Sequence, residues 1–134
     1  MEPGWIREAP TEVVAGPETI DLVDQGIIEA LIELCDEENP DFFRNLVGEF
    51  ERHAELRLCE MRTAVVARDG ETLYRSAHSL RGSAGNVGAK HMASLLADLQ
   101  RIGHEGPLER APRLIDQLDG AFRRSLVLLA EAAA

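Results

Sequence analysis

From about residue 20 onward, apolar residues recur at three- and four-residue spacing, the repeat of helices with one buried face. Ile27, Ile28, Leu31, Ile32 and Cys35 mark a first stripe. Asn39 and Pro40 then read as an N-cap followed by a proline at the first helical position. A long second stripe follows through Phe43, Leu46, Val47, Phe50, Ala54, Leu58, Met61 and Val65 to about Ala67, where Arg68-Asp69-Gly70 breaks it. A third helix is predicted from about Glu71 to Asn86, and a fourth from about Lys90 to Ile102, ended by the glycines and proline of 103–107. A last helix over about 110–132 carries Leu114, Leu118, Phe122, Leu126 and Leu129 on one face, with Pro112 in its first turn. No strand-like alternation competes. The pattern predicts an all-α fold, an antiparallel four-helix bundle with an additional N-terminal helix, over residues 20–134. Residues 1–19 hold three prolines and two glycines without a sustained period. They read as a leader or linker, with Trp5 and Ile6 packing onto the bundle.

Composition narrows the class. The 134 residues suit one domain with a real core, and at 4% aromatic content that core must be aliphatic. A net charge of -10 argues against nucleic acid or an anionic membrane as the main partner. The charge is uneven. Nine acidic and no basic residues lie between Glu18 and Asp41, whereas Glu71 to His104 holds four basic residues against two acidic ones. Cys35 and Cys59 fall within apolar patterns and read as buried thiols of a reducing compartment. No signal-peptide pattern and no apolar run long enough for a span is visible, so a cytoplasmic location is expected.

The locally basic segment contains "AHSLRGSAGNVGAKH", residues 77–91, with Gly82, Gly85 and Gly88 at three-residue spacing. Helix-interior glycine costs roughly 1 kcal/mol relative to alanine, so their presence needs a reason. At about 100° per residue, Leu73, Leu80, Ala84 and Val87 fall about 180–240° from His78 and form the core stripe. Tyr74, Arg75, Arg81, Gly82 and Gly85 lie within about 60° of it. His78 is therefore expected in solvent, flanked by two arginines and by residues without side chains. A neutral imidazole, with an unperturbed pKa near 6.5, is a nucleophile at neutral pH and can accept a phosphoryl group, whose oxygens the guanidinium groups would neutralise.

These residues resemble the signature of histidine-containing phosphotransfer (HPt) domains, in which a His is followed by x-L-[K/R]-G-[S/T]-[S/A] and, some ten residues on, a Gly. His78, Leu80, Arg81, Gly82, Ser83, Ala84 and Gly88 match. The resemblance extends to the Ile-Asp before the first helix, to "NPDFF", and to "LLADLQRIG" in the fourth helix. It implies a phosphocarrier with no ATP site or cofactor of its own, not an enzyme. His78 would take a phosphoryl group from a receiver-domain aspartate and pass it to another receiver. Arg81 would be the main cation, Arg75 and Lys90 secondary ones, and Gly82 would leave room for the partner. Gln100 stands where some members orient the imidazole. Tyr74, Arg75, Gly82, Gly85 and Lys90 are the expected partner-facing residues, and the chain is expected to be a monomer. The family often has lysine at the place of Arg81, and Gly85 is an extra glycine here.

Two alternatives stay open: a module of a hybrid or chemotaxis-type sensor kinase, and a helical adaptor that binds without phosphorylation. Of the other histidines, His53 reads as solvated and His104 as favourable to a helix C-terminus. No metal site is expected, because the thirteen-residue spacing of His78, His91 and His104 matches no ligand pattern.

Overall fold

The structure, a computed structural model, describes residues 22–134. The expected leader, with Trp5 and Ile6, lies outside them. Helix α1 spans Gln25–Ile32, and the Asp24 carboxylate caps it by accepting from the Gly26 and Ile27 amides at 3.0 and 3.3 Å. Helix α2 spans Phe42–Val66, α3 Gly70–Asn86, α4 Lys90–Glu105 and α5 Ala111–Ala133, the last entered through a short 3₁₀ turn at Leu108–Arg110. No strand occurs among the described residues. Pro112 sits in the first turn of α5, where its missing N–H leaves nothing unpaired.

Short connections make successive helices antiparallel. α3 packs on both α2 and α4, and α5 closes the ring against α4 and α2. α1 lies across one end, touching α2 and α5. Inside the ring, Leu73, Leu80, Ala84, Met61, Leu96, Leu99, Ile115 and Leu118 have no more than 1% exposure, and Phe50 meets Phe122 edge to face at 5.9 Å. Across the α2–α5 surface, Arg62 bridges Asp116 and Asp119, and Arg123 bridges Asp119 and Glu55.

Three details depart from the sequence reading. Asn39 is not a helix cap and Pro40 is not helical. Asp36 accepts from the Glu38 and Asn39 amides and closes a turn, so α2 begins only at Phe42 behind Asp41. The first stripe is shallower than expected. Ile28 is buried, but Ile27 and Ile32 are exposed and Cys35 lies beyond the helix end, because the eight-residue α1 lies on the bundle end with one narrow face inward. Cys59 is exposed rather than buried. It follows Leu58 by one position, about 100° around α2 from the core face.

The turn from α3 to α4 requires one glycine. Gly88 has φ +80°, the Ala89 amide donates to the Ala84 carbonyl, and the Gly88 amide donates to that of Gly85. The Gly88 carbonyl accepts from Asp24 N at 2.7 Å, and a Cβ on Gly88 would meet the Asp24 carbonyl at 3.1 Å. This glycine shapes the turn and seats the start of α1. A second pair sets the spacing of α3 and α4 at their other end. A Cβ on Gly70 would lie 2.6 Å from the Gly103 carbonyl, and one on Gly103 would lie 2.7 Å from both the Gly70 carbonyl and Tyr74 N. Gly103 does not end α4, which continues through it to Glu105.

Candidate functional site

Helix α3 places its chemistry by period alone. Asp69 caps it, accepting from Thr72 N at 3.1 Å and from the Thr72 hydroxyl at 2.6 Å. These bonds to the ionised form, the hydroxyl's first, hold the Asp69 carboxyl below its usual range. Leu73, Ala77, Leu80 and Ala84 face inward at zero exposure, which turns His78, Arg81, Gly82 and Gly85 outward. A Cβ added to Gly82 or Gly85 would meet nothing within 4 Å. Neither glycine is required by packing or by backbone conformation, and together they leave a bare strip of helix beside the imidazole.

His78 stands between two open hollows. The one toward α4 has a volume of about 350 Å³ and is lined by Tyr74, Arg81, Ala97, Gln100, Arg101, His104 and Glu105. The one toward α2, about 380 Å³, is lined by Arg57, Glu60, Thr72, Arg75, Ser76 and Ser79. In the latter, Glu60 accepts from Arg57 at 2.8 Å and from the Ser76 hydroxyl at 2.9 Å. The Arg57 bond, with help from Ser76, holds the Glu60 carboxyl below its ordinary range against the opposing effect of partial burial.

The cations around His78 are not equivalent. Arg75 is engaged by Glu71 at 2.9 Å and Arg101 by Asp98 at 3.0 Å. Arg81 has no carboxylate partner among the described residues. Its guanidinium donates to the neutral Gln100 Oε1 at 3.3 Å, so its charge stays uncompensated one turn from the imidazole. Lys90 is exposed at the first position of α4, across the 87–89 turn. Gln100 makes that bond to Arg81 and none to the His78 ring among the described residues. The His78 ring instead lies parallel to Tyr74, with centroids 6.2 Å apart and planes 1° apart. The Tyr74 ring also lies 5.5 Å from that of His104, tilted by 46°. His53, read from sequence as solvated, is half-buried and hydrogen-bonded to the Ser79 hydroxyl at 3.2 Å. The Tyr74–His104 and Ser79–His53 contacts were not legible, since each depends on how two helices meet, whereas Tyr74 beside His78 follows from their four-residue spacing in α3.

A sequence profile of the Hpt domain matches residues 45–130. The chain belongs to the Hpt domain family. Its fold is similar to that of histidine-containing phosphotransfer protein B of Pseudomonas aeruginosa, with a TM-score of 0.72 and 28% identity over 85% of this chain and 96% of that one. A histidine-containing phosphotransfer protein of Medicago truncatula shares the fold at a TM-score of 0.71 and 23% identity, covering 84% of this chain and 79% of that one. In sequence the chain is 26% identical over 82 residues to multistep phosphorelay regulator 1 of Schizosaccharomyces pombe. That match takes in 61% of this chain and 28% of the relative, so the chain spans little more than a quarter of that protein. Within this Hpt bundle no helix among the described residues is long and apolar enough to cross a membrane.

Proposed function

We propose that this Hpt domain is a histidine phosphocarrier of a phosphorelay, in which the His78 imidazole takes a phosphoryl group from a receiver-domain aspartyl phosphate and returns it to the same or another receiver. The observation that carries the reading is the exposed imidazole beside a bare glycine strip and an arginine without a carboxylate partner. The ring nitrogen attacks phosphorus, the P–O bond to the aspartate breaks, and the carboxylate leaves with the bond electrons. Arg81 turns from Gln100 to the phosphoryl oxygens, a charge-assisted contact that strengthens as negative charge gathers there. Gln100 holds the guanidinium beside the imidazole in the resting protein. That assignment differs from the expected direct bond between Gln100 and the ring. Arg75 and Lys90 contribute at longer range, with Arg75 already neutralised by Glu71.

Gly82 and Gly85 let the receiver approach the ring, and Tyr74 lies within the surface so covered. The carrier acts as a monomer, as a free protein or as one module of a larger kinase, and catalyses no ATP-dependent step itself. Labelled-phosphate transfer from a panel of phosphorylated receiver domains tests the reading. Transfer from at least one receiver, abolished in His78→Gln, supports it. Receiver binding without any transfer supports the adaptor reading and overturns this one.

A further inference from the structure

The carrier reading leaves one requirement unmet: something must fix the orientation of an exposed imidazole whose terminal torsion is broad and roughly two-fold. No hydrogen bond holds the ring among the described residues, and the Gln100 side-chain oxygen accepts from Arg81. The ring's one aromatic neighbour among the described residues is Tyr74, one helical turn back, parallel to within 1° at 6.2 Å. Tyr74 is itself restrained from two directions. Its backbone lies at the close approach of α3 and α4, with its N only 2.7 Å from where a Gly103 Cβ would stand. Its ring is in aromatic contact with His104 from α4 at 5.5 Å. Resting on the assignment of His78 as the acceptor, we infer that Tyr74 is a positioning residue, whose ring sets the plane of the imidazole and so keeps the attacking nitrogen directed outward. The close approach at Gly70 and Gly103 thereby bears on reactivity: the seam between α3 and α4 places Tyr74, and Tyr74 places His78.

The contact is aromatic rather than hydroxyl-based, so phenylalanine should replace tyrosine and leucine should not. An aromatic pair of this kind corresponds to about a two- to ten-fold effect on the population of the productive ring orientation. At saturating phosphorylated receiver, where any change in docking no longer limits the rate, Tyr74→Leu should slow single-turnover transfer by that factor, and Tyr74→Phe should restore it. A second readout needs no phosphoryl transfer. In the unphosphorylated protein, the ring current of residue 74 should displace the carbon-bound proton resonances of the His78 ring in wild type and Tyr74→Phe relative to Tyr74→Leu. Wild-type transfer rates in Tyr74→Leu, a Tyr74→Phe protein as slow as Tyr74→Leu, or a rate loss explained wholly by weaker receiver binding would each overturn the inference. Absence of the shift in wild type overturns the ring contact while leaving the carrier reading intact. A wild type that shows the shift but takes no label on His78 overturns the carrier reading, and this inference with it.

Discussion

Two glycine substitutions at opposite ends of the α3–α4 hairpin should change stability in opposite directions. Gly82 is exposed within α3, and a Cβ there meets nothing within 4 Å. Gly82→Leu therefore gains helix propensity with no packing cost, up to about 1 kcal/mol. For a domain of this size that raises the Tm by about 3–5 °C. Gly103→Ala receives the same kind of propensity gain, but its Cβ would lie 2.7 Å from the Gly70 carbonyl and from Tyr74 N. Both neighbours are backbone atoms, so α3 and α4 must separate. Overpacking of this sort costs about 1–3 kcal/mol, and two backbone contacts under 3 Å put Gly103→Ala in the upper part of that range, about 2–3 kcal/mol. That leaves a net loss of about 1–2 kcal/mol once the propensity gain of about 1 kcal/mol is set against it. Urea denaturation followed by circular dichroism measures both, and an unchanged m-value confirms that stability alone has moved. The same samples go into a transfer assay. Gly82→Leu should be more stable than wild type and defective in transfer, because the leucine stands where the receiver approaches. A destabilised Gly82→Leu, or a Gly103→Ala protein as stable as wild type, would refute the assignment of one glycine to access and the other to helix contact. A stable Gly82→Leu with normal transfer would refute the access argument alone.

Arg81→Ala should slow transfer by about 10- to 100-fold, from the loss of one charge-assisted hydrogen bond, while a binding titration with unphosphorylated receiver barely changes. Equal losses in both would make it a docking residue. Ser125 is fully buried in α5 with its hydroxyl unpartnered among the described residues, so Ser125→Ala should be neutral or stabilising by up to about 1 kcal/mol in a thermal melt. Asp69 and Glu60 have carboxyls held below their ordinary values of 3.8 and 4.5. Below those ordinary values the unfolded chain binds protons that the folded one does not. The stability these groups contribute is therefore fully present above that range and lost as pH falls through their folded values. Asp69→Asn and Glu60→Gln should each flatten the acid limb of a stability-against-pH curve measured by urea melts at successive pH values. An unaltered limb in both would remove these groups as its cause.

The fold was largely legible because its information is periodic. The long stripes of α2 and α5 and the wheel that put His78 opposite Leu73, Leu80 and Ala84 needed only a helical repeat, and the structure buries most of the residues so assigned, leaving Leu46, Val65, Leu114 and Leu126 half-buried against the core. The short α1 carried too few turns for its stripe to separate Ile28, which is buried, from Ile27 and Ile32, which are not. The α2 start was misplaced because an Asx turn at Asp36 is closed by backbone amides, leaving Asn39 and Pro40 as connectors. Gly88 fell between the predicted third and fourth helices, and the structure places it in that turn with φ +80°. Gly70 and Gly103 looked like helix breakers because nothing local reveals that each faces the other's carbonyl. The motif around His78 was readable residue by residue. The bond between Arg81 and Gln100 and the tie between Ser79 and His53 depend on how separate helices pack, and no spacing encodes them; the four-residue spacing puts Tyr74 beside His78 but does not give the parallel setting of the two rings.

The central claim is that one imidazole carries the phosphoryl group, and mapping the label tests it most directly. Wild-type protein is incubated with a phosphorylated receiver domain, the label is located by mass spectrometry at neutral to alkaline pH, and its survival is compared in acid and in base. A single modified residue, His78, with a bond lost in acid and kept in base, is the predicted result. Label on Ser79, Ser83 or another histidine, label that survives acid, or label retained in His78→Ala would contradict the account.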